Sequence, residues 1–207
     1  MNCNSWNGAG AFKEPPPKPE TFKSPTARDT LIKVYTADIT RLDVDALVNS
    51  SNENLKHVGG VAGALLAAAG PQLQTACNEY LYQRRLKEVP VGQVMVTPGF
   101  RLHARHVIHA VGPNGNACRD EQKFRQLLSV VIVNAFREAQ KINAITLALP
   151  LISAGVLRFL VLWISEIFSV SILLVFLTFT INVDFKTYSC LVRIHTVLCL
   201  ELLLYLL

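Results

Sequence analysis

The sequence predicts a three-layer α/β/α domain with a mixed sheet, and three observations predict it. Strand-like and helix-like segments alternate from Leu31 onward, Ala46-Leu47-Val48-Asn49 reads as a buried strand, and Glu121 to Ile142 carries an apolar face at near-helical spacing. In order, Leu31 to Tyr35 is an apolar-polar alternating strand, and Ala46 to Asn49 is the buried one. Val61 to Ala69 follows as a short helix stopped by Gly70-Pro71, and Gln72 to Leu86 as an amphipathic helix. Val94 to Thr97 and His106 to Ala110 are strands separated by a turn around Pro98-Gly99. The long helix then presents Phe124, Leu127, Leu128, Val131, Ala135 and Phe136 to the core, and Ala144 to Leu149 returns as a strand ending at Pro150.

The densest signal is the turn between the buried strand and the first helix. Val48-Asn49-Ser50-Ser51-Asn52-Glu53-Asn54-Leu55 is followed by Gly59-Gly60-Val61-Ala62-Gly63. Glycines let a ligand approach the backbone without Cβ interference, and the free N–H groups of a helix start favour an anion such as phosphate. Asp38-Ile39-Thr40 lies upstream, and Val107-Ile108-His109-Ala110-Val111-Gly112-Pro113 downstream.

Together these segments resemble the macro domain, the ADP-ribose-binding module, and are most similar to the macro domains of macro-type poly(ADP-ribose) polymerases. The resemblance runs over roughly residues 30 to 155. It implies a macro-domain fold spanning 29–155, truncated, because the second phosphate loop begins as Ser153-Ala154-Gly155 and then departs from the family pattern at Arg158 and Leu160. It also implies roles. Asp38 would accept from the adenine amino group, and Ile39 would offer a backbone N–H nearby. Asn49 and Asn52 would order the loop and face the distal ribose. Gly59, Gly60, Val61 and Ala62 would wrap the diphosphate, with Ser153, Ala154, Gly155 and Val156 closing from the other side. Read without the resemblance, Asp38 is a helix cap and Asn49 to Asn52 a plain turn.

The function implied is binding of ADP-ribose or of mono-ADP-ribosylated protein, weakened by the broken second loop. Hydrolysis of an ADP-ribosyl bond is the alternative, but Ala62 stands where the hydrolytic type carries an Asp, and a methyl group cannot act as a base or hold a water. No catalytic residue, cofactor or metal is therefore expected. His103, His106 and His109 recur every third residue, but strand side chains alternate faces, so all three cannot converge on one ion. His109 reads as a packed strand residue and His57 as an exposed loop residue.

Composition divides the chain. Residues 1–28 are rich in Pro and Gly, with Pro15-Pro16-Pro17 and Pro19, and read as a disordered leader. Met1 to Gly8 lacks the basic start and apolar stretch of a secretory signal. The net charge of +5 is scattered, which argues against a nucleic-acid stripe, and five cysteines without paired spacing argue against a disulfide framework or a zinc motif. Hydrophobic residues make up 51% and mean hydropathy is +0.32, an excess that collects after Gly155. Residues 156–207 thus read as a hydrophobic helical tail. Phe159 to Val183 is long enough to span a bilayer, which would make the chain a membrane-anchored interaction protein. The competing reading is a non-native tail, in line with the break falling inside a motif, which would leave a non-binding fragment. The resemblance implies a nuclear and cytoplasmic location and a link to transcriptional repression, with a membrane location if the tail spans.

Overall fold

The computed structural model describes residues 20–23, 31–34, 37–115, 117–118, 120–153 and 189–192. Its strands are β1 (Glu20–Lys23), β2 (Leu31–Val34), β3 (Ala46–Ser51), β4 (Val94–Pro98), β5 (His106–Val111), β6 (Thr146–Leu149) and β7 (Ser189–Val192). Its helices are α1 (Gly60–Ala69), α2 (Gln72–Gln83) and α3 (Glu121–Lys141). One sheet runs in the order β1-β2-β7-β6-β3-β5-β4. The two outer pairs, β1 with β2 and β5 with β4, are antiparallel and the inner pairs parallel, so the sheet is mixed as the alternation predicts.

Period-two alternation sorts the strand residues between two helical layers. Ala46 and Val48 of β3, Ile108 and Ala110 of β5, and Leu147 and Leu149 of β6 pack with Phe124, Leu128, Val131, Ile132 and Ala135 of α3. The intervening residues Leu47, Val107 and Ala148 pack on the other face with Leu65 and Ala69 of α1 and Leu73 of α2. Leu55, Cys77, Met95 and Val111 extend that second layer toward β4. Leu47, Leu65, Leu128 and Leu147 are each at most 1% exposed. Cutting such a side chain to Ala costs about 2–5 kcal/mol.

Asp45 locks the start of β3 to β6. Its Oδ2 accepts from the amides of Ile145 and Thr146, both at 2.9 Å, and from the Thr146 hydroxyl at 3.1 Å, while Arg105 lies 3.3 Å from Oδ1. Burial pushes the Asp45 carboxyl up, but the Thr146 and Ile145 amides, the Thr146 hydroxyl and the Arg105 charge outweigh it and hold the group below its ordinary value.

Helix limits follow local chemistry. Asp120 caps α3, accepting from the Lys123 amide at 3.1 Å. Gly70, at φ +90°, ends α1. The second helix stops at Gln83, short of the expected Leu86, because the chain turns through Arg85 at φ +55°.

Two strands differ from the sequence reading. Glu20–Lys23 pairs along β2, inside the stretch read as a leader. Ser189–Val192 pairs with both β2 and β6, although no family-like strand was expected after residue 155. It satisfies two strand edges that would otherwise lie open. Among the described residues no helix is long and apolar enough to cross a membrane; Phe159 to Val183 lies outside them.

Candidate functional site

The parallel strands β3, β5 and β6 all release their chains at the same end of the sheet, where ligands of open α/β sheets sit. The loop after β3 is closed by Asn52, whose Oδ1 accepts from the Lys56 amide at 2.8 Å and whose Nδ2 donates to the Lys56 carbonyl at 3.0 Å. That loop delivers Gly59 to the start of α1.

Helix α1 begins without a side-chain cap, since Gly59 is its N-cap residue. The first helical bond runs from the Gly63 amide to the Gly59 carbonyl at 3.0 Å, which leaves the amides of Gly60, Val61 and Ala62 without intrahelical acceptors. Gly59 and Gly60 are exposed, and a β-carbon on either would meet nothing within 4 Å. Their reasons for being glycine differ. Gly60 has φ +57°, which disfavours any side chain. Gly59 is extended at φ 174°, a conformation open to any residue, so the fold itself does not require glycine there.

The opposite lip is the turn after β6. The Ser153 amide donates to Ser50 Oγ at 3.3 Å, and Ser153 itself has φ +66°. A β-carbon on Gly112 would overlap Ser153 Oγ and lie 2.5 Å from Ile152 Cγ2. Glycine at 112 is therefore what lets the β5 and β6 turns close together.

Beneath this rim lie four buried polar residues, Asn49, His57, Thr97 and His109. His109 is their hub. Its Nδ1 is 3.1 Å from Asn49 Nδ2, its Nε2 is 3.0 Å from Thr97 Oγ1 and 3.8 Å from Cys77 Sγ, and its ring meets His57 edge-on at 5.3 Å between centroids. Burial, with the His57 ring beside it, holds the His109 imidazole down to about 3, so it is neutral. Burial pushes the Cys77 thiol up to about 12, so it is protonated. His57, Cys77 and His109 each offer one ligating atom within 4.8 Å of the others.

Measured against the sequence reading, Asp38 and Ile39 lie in a 3-10 turn, Ile39–Arg41, that packs beside α1. Asp38 acts as its cap: Oδ1 accepts from the Thr40 amide at 3.0 Å and hydroxyl at 2.7 Å, and Oδ2 pairs with Arg41 at 3.4 Å. Asn52, Gly59, Gly60 and Val61 reach the rim. Ala62 is buried at 7% exposure, so only its amide can serve. Asn49 is fully buried on the α1 face of β3, with Nδ2 3.1 Å from His109 Nδ1. His57 is corrected, from exposed to buried, because Gln74 Oε1 accepts from its backbone amide at 3.3 Å and contacts its Nδ1 at 2.8 Å. Ala154, Gly155 and Val156 lie outside the described residues. Ser50, Gln74 and Cys77 were missed; only the i, i+4 pairing of Leu73 with Cys77 signalled an inward-facing thiol.

The family model described as Macro domain matches residues 48–161, more than half of the chain. A macro domain-containing protein of Xanthomonas axonopodis pv. citri is 38% identical over 125 residues, 60% of this chain and 69% of that protein. An uncharacterized protein of Pyrobaculum aerophilum is 40% identical over 119 residues, 58% of this chain. The chain covers 62% of the length of that relative, and only 21% of an uncharacterized Thermotoga maritima protein that is 39% identical over 131 residues. Among solved structures, the Oceanobacillus iheyensis macrodomain with ADP superposes at TM-score 0.76 with 29% identity, covering 91% of this chain and 96% of that one. A glycine-to-valine mutant of the same macrodomain, with ADPR, gives 0.76 at 27% identity, covering 91% and 98%. With its mixed sheet, its Gly59-Gly60 helix start and a family model running from β3 past β6, this chain belongs to the macro domain family.

Proposed function

We propose that this chain binds ADP-ribose, free or carried as a mono-ADP-ribosyl group on a modified protein. The observation that carries the reading is the uncapped start of α1, with three amides that lack intrahelical acceptors behind a Gly59 that the fold does not require. A diphosphate fits that requirement: it is anionic, it accepts backbone hydrogen bonds, and it needs the close approach that a side chain at 59 would obstruct. The ADP and ADPR of the Oceanobacillus structures supply the same chemistry.

In this reading the amides of Gly60, Val61 and Ala62 hold the diphosphate, and Ser153, with Ala154, Gly155 and Val156 beyond it, closes the opposite side. Asn52 keeps the loop in shape beside the distal ribose. Asp38 takes the adenine amino group, exchanging a surface pair with Arg41, which is worth little. Binding is favoured over hydrolysis because Ala62 brings no side chain that could position a water, and the Asn52 amide is committed to Lys56. The departures at Arg158 and Leu160 should make the affinity weaker than about 10 μM. We place the protein in the nucleus and cytoplasm as a reader of modified proteins.

The test is a titration of ADP-ribose into the full chain, followed by incubation with a mono-ADP-ribosylated protein. The expected result is saturable binding without release of ADP-ribose. Steady release of ADP-ribose would replace the reader with a hydrolase.

A further inference from the structure

We propose that His57, Cys77 and His109 form a binding site for one borderline-soft divalent transition ion, zinc being the natural candidate, in the core beneath the start of α1. The three residues come from three elements: the loop after β3, the middle of α2 and the middle of β5. One ligating atom from each lies within 4.8 Å of the other two, and Cys77 Sγ is 3.8 Å from His109 Nε2. Ligands of a tetrahedral zinc ion stand roughly 3.5 Å apart, so small side-chain rotations close the set. Two imidazoles and a thiolate are the donors such an ion selects, and among the described residues no carboxylate joins them to favour magnesium or calcium.

The second observation is an orphaned lone pair. Gln74 Nε2 donates to the Leu55 carbonyl at 3.0 Å, which fixes Oε1 toward His57. The His57 Nδ1 must then carry the proton that Gln74 Oε1 accepts at 2.8 Å. In the neutral ring this leaves Nε2 as an acceptor, and that atom is buried with no hydrogen-bond partner among the described residues, on a residue only 7% exposed. A metal-ligating histidine is built in this way, with one nitrogen tied to an oxygen of an outer residue and the other bare.

His109 can adopt the matching tautomer. The Asn49 amide sets Nδ2 toward His109 Nδ1, with Oδ1 unpartnered; reversing the amide lets Oδ1 accept from an Nδ1–H, and the ion would then take the Nε2 lone pair in place of the Thr97 hydroxyl. One Asn49 amide atom is unpaired in either orientation. Coordination would replace the Cys77 thiol proton by the ion, releasing that proton to solvent and leaving a complex of single positive charge. Thr97 Oγ1, 3.0 Å from His109 Nε2, borders the fourth position. With all three ligands buried, the site holds structure and performs no reaction.

The experiment uses the full 207-residue chain, titrated with Co2+ as a coloured substitute for zinc and, separately, melted with and without Zn2+. One ion per chain should produce a sulfur-to-cobalt charge-transfer band, and Zn2+ should raise the Tm where Mg2+ does not. Cys77→Ala should abolish the band, His57→Gln should weaken Co2+ binding at least tenfold, and Cys118→Ser should retain wild-type affinity. Circular dichroism of each variant separates lost ligation from lost folding, and the wild-type Zn2+ shift stands without any variant. Absence of both band and shift in the wild type overturns the site, and so does a band that persists in folded Cys77→Ala.

Discussion

The backbone amide of Ser153 donates to the hydroxyl oxygen of Ser50 at 3.3 Å, joining the turn after β6 to the end of β3. The contact depends on Gly112, whose missing side chain leaves the space that Ser153 Oγ and Ile152 Cγ2 occupy. Gly112→Ala should cost about 1–3 kcal/mol by overpacking. It should also loosen ADP-ribose binding, because the Ser153 lip is pushed outward. Urea unfolding and a binding titration on the same preparation check both effects; an unchanged midpoint would show that the two turns are not held together there.

Gly59 and Gly60 should respond differently to substitution. Gly60→Ala should destabilise by about 1 kcal/mol because φ is +57°, whereas Gly59→Ala, extended and facing open space, should leave Tm within about 1 °C. Both should weaken ADP-ribose binding at least tenfold. Gly59→Ala with intact binding would place the diphosphate elsewhere.

Asp45 sets an acid limit on stability. Its carboxyl is held below the ordinary value when folded, so below roughly pH 4 the unfolded chain binds more protons and stability falls as the solution is acidified. The contribution is fully present above the ordinary carboxylate pKa and is lost as pH falls through the lower folded value. Asp45→Asn should flatten that decline and cost about 2 kcal/mol at pH 7 through weakened bonds to Ile145 and Thr146. Unfolding free energies between pH 3 and pH 7, a range chosen to bracket about pH 4, supply the comparison. Parallel curves for the two proteins would remove Asp45 from the acid response.

Asn52 closes its loop with two bonds to Lys56, one as acceptor and one as donor. Asn52→Asp keeps the acceptor and loses the donor; Asn52→Ala loses both. Stability should fall in that order, by about 1 and then 2 kcal/mol, and ADP-ribose affinity should follow it. Equal affinity across the three proteins would detach the loop from the ligand.

Much of the fold was legible because long segments repeat with the period of their element. The α3 stripe from Phe124 to Phe136 and the apolar run Ala46 to Val48 could be placed by pattern alone. Glu20–Lys23 and Ser189–Val192 could not, since four residues give no period and each lies in a stretch whose composition points elsewhere. At the site, the glycine pair was readable from local chemistry. The buried cluster was not: Asn49 and His109 are sixty residues apart and meet only through the parallel register of β3 on β5, and His57 turns inward only because Gln74 of α2 is there to receive it.

Calorimetric titration of ADP-ribose into the full chain, with Gly59→Ala as the matched control, decides whether the start of α1 holds the diphosphate. The wild-type chain should show one saturable site, weaker than about 10 μM, and a variant that folds normally should lose at least tenfold in affinity. No saturable heat up to about 1 mM from a wild-type chain that melts cooperatively would contradict that site.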